Sequence, residues 1–269
     1  MSTNSDCLSF IVEPLEQREM LAGNVVAEIN SNGDIVINGD SESNEIQVNI
    51  DSEARSVRFA PTDGTTSIND AEVGSAFTIF HDGDLRDLKI NMKAGDDEVV
   101  LFGDFSTLRN GRAQMGSGND EFRILQTNFT KNVTVILGAG VADEGTQGGG
   151  FDQKGAVLFA NIGGNLSIRG SKTIDFVQAS GSRIDGRTNV QLGSGDDVLS
   201  TIGNTYGRSA RANLGSGNDE MKIQSLTTFD RWTANGGSGE DVFEFLVQPN
   251  DFFSPPTITG FESVTSRQN

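Results

Sequence analysis

Short runs of alternating apolar and polar residues recur along the chain at a nearly constant interval. Pairs of apolar residues two apart precede a series of glycine-rich corners: Ile90 and Met92, Ala113 and Met115, Val135 and Leu137, Val190 and Leu192, Ala212 and Leu214. Matching pairs follow: Val99 and Leu101, Phe122 and Ile124, Leu199 and Thr201, Met221 and Ile223, Phe243 and Phe245. A period of two sends successive side chains to opposite faces of a strand, so the pattern predicts strand, turn, strand with one face buried. Strands also run through Val157 and Phe159, Leu166 and Ile168, and Ile174 and Phe176. Before residue 90 the rhythm is looser, but Ile35 and Ile37, Ile46, Val48 and Ile50, and Val57 and Phe59 still alternate.

The corners are themselves a repeat. Lys93-Ala-Gly-Asp-Asp97, Gly116-Ser-Gly-Asn-Asp120, Gly193-Ser-Gly-Asp-Asp197, Gly215-Ser-Gly-Asn-Asp219 and Gly237-Ser-Gly-Glu-Asp241 align, with final aspartates 23, 77, 22 and 22 residues apart. A decayed copy, Gly138-Ala-Gly-Val-Ala-Asp143, divides the long gap. A unit this short cannot bury its apolar face alone, whereas stacked copies share one continuous core. The expected fold is therefore all-β: a right-handed parallel β-helix or solenoid with about 22 residues per coil and roughly eight to ten coils. Residues 91–262 form the repeat, with a loop insertion near 141–155 around Gly145-Thr-Gln-Gly-Gly-Gly-Phe151. Residues 24–90 read as the first coils or a capping β-unit, with a separate small β-domain as the runner-up; Gly39-Asp40 resembles an eroded corner. Ile258-Thr-Gly-Phe-Glu262 reads as a final cap strand, and 263–269 as a tail.

Composition narrows the chemistry. The chain's 269 residues suffice for one large or two average domains. Its 38 acidic against 20 basic residues give a net charge of −18, which disfavours nucleic acid as a partner and calls for cations to offset self-repulsion. Plain solubility is the simpler reading of that charge. One histidine, His81, and one cysteine, Cys7, leave almost no material for a zinc site or a histidine-based triad. His81 reads as a turn residue beside Asp82-Gly-Asp84. No apolar run is long enough for a transmembrane helix.

Two resemblances follow from these residues. Ile11-Val-Glu-Pro-Leu-Glu-Gln-Arg-Glu-Met-Leu-Ala22 resembles the LEPR-XLL leader of secreted planctomycete-type proteins, which implies that 1–23 directs export to the cell surface or beyond. The other reading of 1–23 is a frayed N-terminus. Gly236-Gly-Ser-Gly-Glu-Asp-Val-Phe-Glu244 resembles the GGxGxDxUx nonapeptide of RTX (hemolysin-type) proteins, a Ca²⁺-binding β-helix repeat. RTX arrays repeat every nine residues, and Met92, Met115, Leu192 and Leu214 replace the first glycine in four corners here. The recurrence of corners once per 22 or so residues implies one calcium edge on longer coils.

Ca²⁺ takes six to eight oxygens, more than one corner offers, so stacked corners would share each ion. On this reading Asp97, Asp120, Asp197, Asp219 and Asp241 supply carboxylates. Asp96, Asn119, Asp196, Asn218 and Glu240 supply main-chain or outer oxygens. Stacked carboxylates without a cation would be costly. The alternative is a metal-free solenoid whose corners are ordinary Asx turns. The expected function is an extracellular, calcium-ordered structural or adhesive protein, its partners calcium ions and cell-surface or matrix components. A β-helix polysaccharide-active enzyme is the alternative, resting on fold analogy alone, with Trp232 and Tyr206 expected to be too few for sugar platforms. Trp232 reads as a wall residue.

Overall fold

Each coil follows from the alternation: strands long enough to bury two or three apolar side chains, ended by corners that only glycine and hydrogen-bonding side chains can turn. In a computed structural model, described over residues 23–138, 154–224, 228–246 and 256–267, the chain is all-β and winds into a β-solenoid of about seven turns of roughly 22 residues. The leader motif at 11–22, nearly all of the decayed corner after Gly138, and most of the 141–155 insertion lie outside the described residues.

Three parallel sheets run along the stack. Sheet I precedes the glycine corner and includes Asp87–Asn91, Asn110–Gln114, Val133–Ile136, Leu166–Arg169 and Thr188–Ser194, continuing through 210–216 and 233–238 to Thr257–Thr259. Sheet II follows the corner, from Glu98–Phe102 through Asp175–Ser180 and Val198–Ile202 to Ser263–Arg267. Sheet III is short: Thr107–Leu108, then 128–129, 161–162, Arg183–Ile184 and 205–206. From Asp87 onward most rungs advance 22 or 23 residues, and a few 21 or 24, whereas Asn132 meets Asn165 at a separation of 33, which places the insertion within one coil.

Register turns the sequence repeat into columns of core residues. On sheet I, Ile37, Ile90, Ala113, Val135, Ile168, Val190, Ala212 and Ala234 lie over one another and are buried. Met92, Met115, Leu192 and Leu214, which replace the first glycine of the RTX pattern, are all fully buried. Trp232 and Tyr206 are interior too, so neither is exposed for a sugar. On sheet II the inward residues include Leu158, Ala160 and Val177; Phe159, read as a strand marker, faces outward, and Ile174 falls just before the strand that starts at Asp175, both of them exposed.

The count of about seven turns is below the eight to ten expected, and residues 23–80 show why. Gly23–Ile29 pairs antiparallel with Ile35–Asn38, and Ser56–Pro61 pairs antiparallel with both Glu45–Asp51 and Phe77–Phe80. Only Ile35–Asn38 and Glu45–Asp51 pass their free edges to the parallel sheets. The antiparallel strands occupy chain without adding coils, and they cover sheet edges that would otherwise stand open.

Candidate metal centre at the aspartate corner

Both glycines of the Gly-x-Gly corners have positive φ: Gly193 (116°) and Gly195 (120°), Gly215 (121°) and Gly217 (130°), Gly237 (119°) and Gly239 (137°), for example; in the first corner Lys93 takes the place of one of them. That region costs little only for glycine. The stacking adds a second constraint: a Cβ on Gly217 would overlap the Gly195 carbonyl oxygen one coil below. Glycine is required twice over, by dihedral and by contact.

The corner aspartates stand in a column, as the spacing predicted. Asp97, Asp120, Asp197, Asp219 and Asp241 are each at most 2% exposed. One carboxylate oxygen reaches to the preceding coil. Asp97 N–H donates to Asp120 Oδ1 (3.1 Å), Asp197 N–H to Asp219 Oδ1 (2.8 Å), and Asp219 N–H to Asp241 Oδ1 (2.8 Å). Asn44 caps one end, its N–H on Asp97 Oδ1 (2.9 Å); Glu262 caps the other, its Oε2 accepting from Asp241 N–H (2.7 Å).

The preceding residue of each corner does something different. Asp96, Asn119, Asp196, Asn218 and Glu240 are exposed, on the outer side of the turn. Asn119 N–H donates to Asp96 Oδ1 and Asn218 N–H to Asp196 Oδ1, both at 2.7 Å, and Glu240 N–H to Asn218 Oδ1 at 2.9 Å. The inner ladder therefore reaches back one coil and the outer ladder forward one coil. These are inter-coil staples, unlike Asx turns, which close on their own loop.

Sequence reasoning missed one rung. Asp175, fully buried, accepts from Ser171 N–H (2.6 Å) and Ser171 Oγ (3.1 Å), while its own N–H donates to Asp197 Oδ1 (2.8 Å). Its corner, Gly170-Ser-Lys-Thr-Ile-Asp175, lacks Gly-x-Gly; the 22-residue step to Asp197 was the available signal. Asn44 and Glu262 carried no motif at all.

In four of the other rungs the second oxygen is left over. Oδ2 of Asp97, Asp197, Asp219 and Asp241 is buried without a hydrogen-bond partner. Burial, reinforced by neighbouring carboxylates, pushes Asp97 up to about 7, Asp197 to about 8 and Asp219 to about 6, against the opposing pull of the main-chain N–H bonds. The same hard, anionic oxygen stands orphaned at repeated rungs, and this fits a divalent cation. Among the described residues no three His, Cys, Asp or Glu side chains converge on one point, so two carboxylates at most would meet an ion and main-chain oxygens would complete its shell. Ser117, Ser216 and Ser238 carbonyls already accept from Gly95, Gly195 and Gly217 N–H, each at 2.9 Å, and retain a second lone pair.

His81 lies in a turn, its Nδ1 2.6 Å from the Gly83 carbonyl oxygen. Among the described residues no helix is long and apolar enough to cross a membrane. No family model, curated protein or solved structure matches the chain.

Proposed function

We propose that this chain is an extracellular structural or adhesive β-solenoid whose aspartate corner takes up Ca²⁺. One observation carries the reading: the repeated, buried and unpartnered Oδ2 of Asp97, Asp197, Asp219 and Asp241. Asp120 belongs to the same column by register. A bound cation would offset the mutual repulsion of stacked carboxylates and join adjacent coils, so its binding free energy would add to folding. Asp96, Asn119, Asp196, Asn218 and Glu240 would hold the turn from outside, since their side chains point away from the buried oxygens.

A non-catalytic role is supported by the split within each corner. Asp96 and Asp97, or Asp196 and Asp197, are adjacent in sequence but sit on opposite sides of the turn, one exposed and one buried. They are poorly placed to act as an acid–base pair on one substrate. Export rests on the resemblance of residues 11–22 to a secretion leader.

The second reading is a metal-free solenoid. Asp175 favours it, because Ser171 satisfies both of its oxygens with no ion present. Calorimetric titration of the full chain with Ca²⁺ separates the two. Saturable binding that is lost in Asp197→Asn/Asp219→Asn supports the calcium column; absence of binding heat together with a stable fold leaves the metal-free solenoid.

A further inference from the structure

The register of sheet I collects positive charge that the composition conceals. Its outward positions, rung by rung, are Asp87, Lys89 and Asn91; Asn110, Arg112 and Gln114; Asn132, Thr134 and Ile136; Asn165, Ser167 and Arg169. They continue as Arg187, Asn189 and Gln191; Ser209, Arg211 and Asn213; Arg231, Thr233 and Asn235; then Thr257 and Thr259. Past Asp87, which Arg109 already neutralises, no carboxylate stands at any of these positions. Lys89 is in turn paired with Asp34, so in a chain of net charge −18 this face carries net positive charge from Arg112 onward.

The spacing of the charges is as informative as their sign. Arg169, Arg187, Arg211 and Arg231 fall on four successive rungs, which advance ~4.8 Å each, but staggered across the strand: Arg187 and Arg231 share the first column, Arg211 stands in the middle one and Arg169 in the third. All four are exposed, as is Arg112, and none of the five makes an ion pair among the described residues. Between them, apart from Ile136, lie only amides and hydroxyls, some already ordered into a ladder, as where Asn235 Nδ2 donates to Asn213 Oδ1 (2.7 Å). The positions are held on rigid strands, so little side-chain register is lost on binding.

From this geometry we infer that sheet I is a docking face for a linear acidic polysaccharide, its carboxylate or sulfate groups meeting the staggered arginines and its hydroxyls meeting the Asn, Gln, Ser and Thr positions. Guanidinium forks suit both anions. Nucleic acid is the less suitable polyanion, because the face offers no aromatic platform for bases and the rest of the protein repels phosphate. The inference names a partner for the adhesive reading and rests on it, but not on calcium: the face is separate from the corner.

The test uses the full chain against immobilised heparin (sulfated) and polygalacturonate (carboxylated), with neutral dextran and duplex DNA as comparators, each with and without Ca²⁺. Wild type should bind at least one acidic polysaccharide, more weakly as salt rises, and should ignore dextran. Arg187→Ser/Arg211→Ser should lower that affinity roughly tenfold or more, with an unchanged melting curve. Arg55→Ser/Arg58→Ser removes equal charge from the N-terminal cap and should change affinity by less than about twofold. Equal losses in the two pairs, no binding of either polysaccharide by wild type, or tighter binding of DNA than of both would overturn the proposal. A failed calcium titration alone would leave it standing, and a failed binding assay alone would leave the calcium column standing.

Discussion

The backbone N–H of Asp197 donates to Oδ1 of Asp219 one coil further on, at 2.8 Å, while Oδ2 of that carboxylate is buried with no partner. One side chain thus does two things. Oδ1 closes an N–H that the turn would otherwise strand, and Oδ2 carries charge into a place where water does not offset it. The first role needs only an acceptor; the second needs a counter-charge.

Substitution at Asp219 separates these roles. Asp219→Asn keeps an acceptor for the Asp197 N–H and removes the charge, so metal-free stability should hold or rise while any response to Ca²⁺ shrinks. Asp219→Ala also strands the N–H and should cost about 1–3 kcal/mol. Urea unfolding of both variants in chelator checks this; equal destabilisation would mean that the charge is not what the corner must compensate.

Backbone geometry gives a second test, in both directions. Lys93, with φ of 77°, occupies the position that Gly116, Gly193, Gly215 and Gly237 hold in the other corners. Lys93→Gly should stabilise the protein by about 1 kcal/mol, by relieving a left-handed non-glycine residue. Gly217→Ala meets both a φ of 130° and the Gly195 carbonyl, and should lower the melting temperature severely or prevent folding. Thermal melts of the pair read out both signs.

The raised carboxylates predict a pH dependence with a definite sign. Their folded values, about 7 for Asp97, about 8 for Asp197 and about 6 for Asp219, lie above the ordinary aspartate range. The folded state therefore holds protons that the unfolded chain has released, and its stability falls as pH rises from about 4, the ordinary aspartate value, to about 8 and then levels off. Metal-free protein should melt lower at pH 9 than at pH 5. Saturating Ca²⁺, by stabilising the charged carboxylates, should flatten that fall. A chelated protein whose melting temperature rises over the same window contradicts the assignment.

The coil and its corner were legible because both depend on local chemistry repeated at a fixed step. Glycine at positive φ and apolar residues at a period of two leave marks in any single coil. What was missed depends on relations between coils. Period two does not distinguish the antiparallel strands at 45–51 and 56–61 from stacked parallel ones, so the number of turns was overestimated. Asp175 reaches its column without a glycine motif because Ser171 does the work of the turn. The cationic face was hidden because net charge sums over all surfaces, whereas Arg187 and Arg211 come onto adjacent rungs of one face, two positions apart along the strand, only once the rungs are in register.

The central claim is that the column of buried aspartates is completed by calcium. Circular dichroism melts of the full chain in EGTA and in millimolar Ca²⁺ at neutral pH address it most directly. The account predicts a cooperative gain in β-structure and a markedly higher melting temperature with Ca²⁺, lost in Asp197→Asn/Asp219→Asn. Superimposable melts in the two conditions would contradict it.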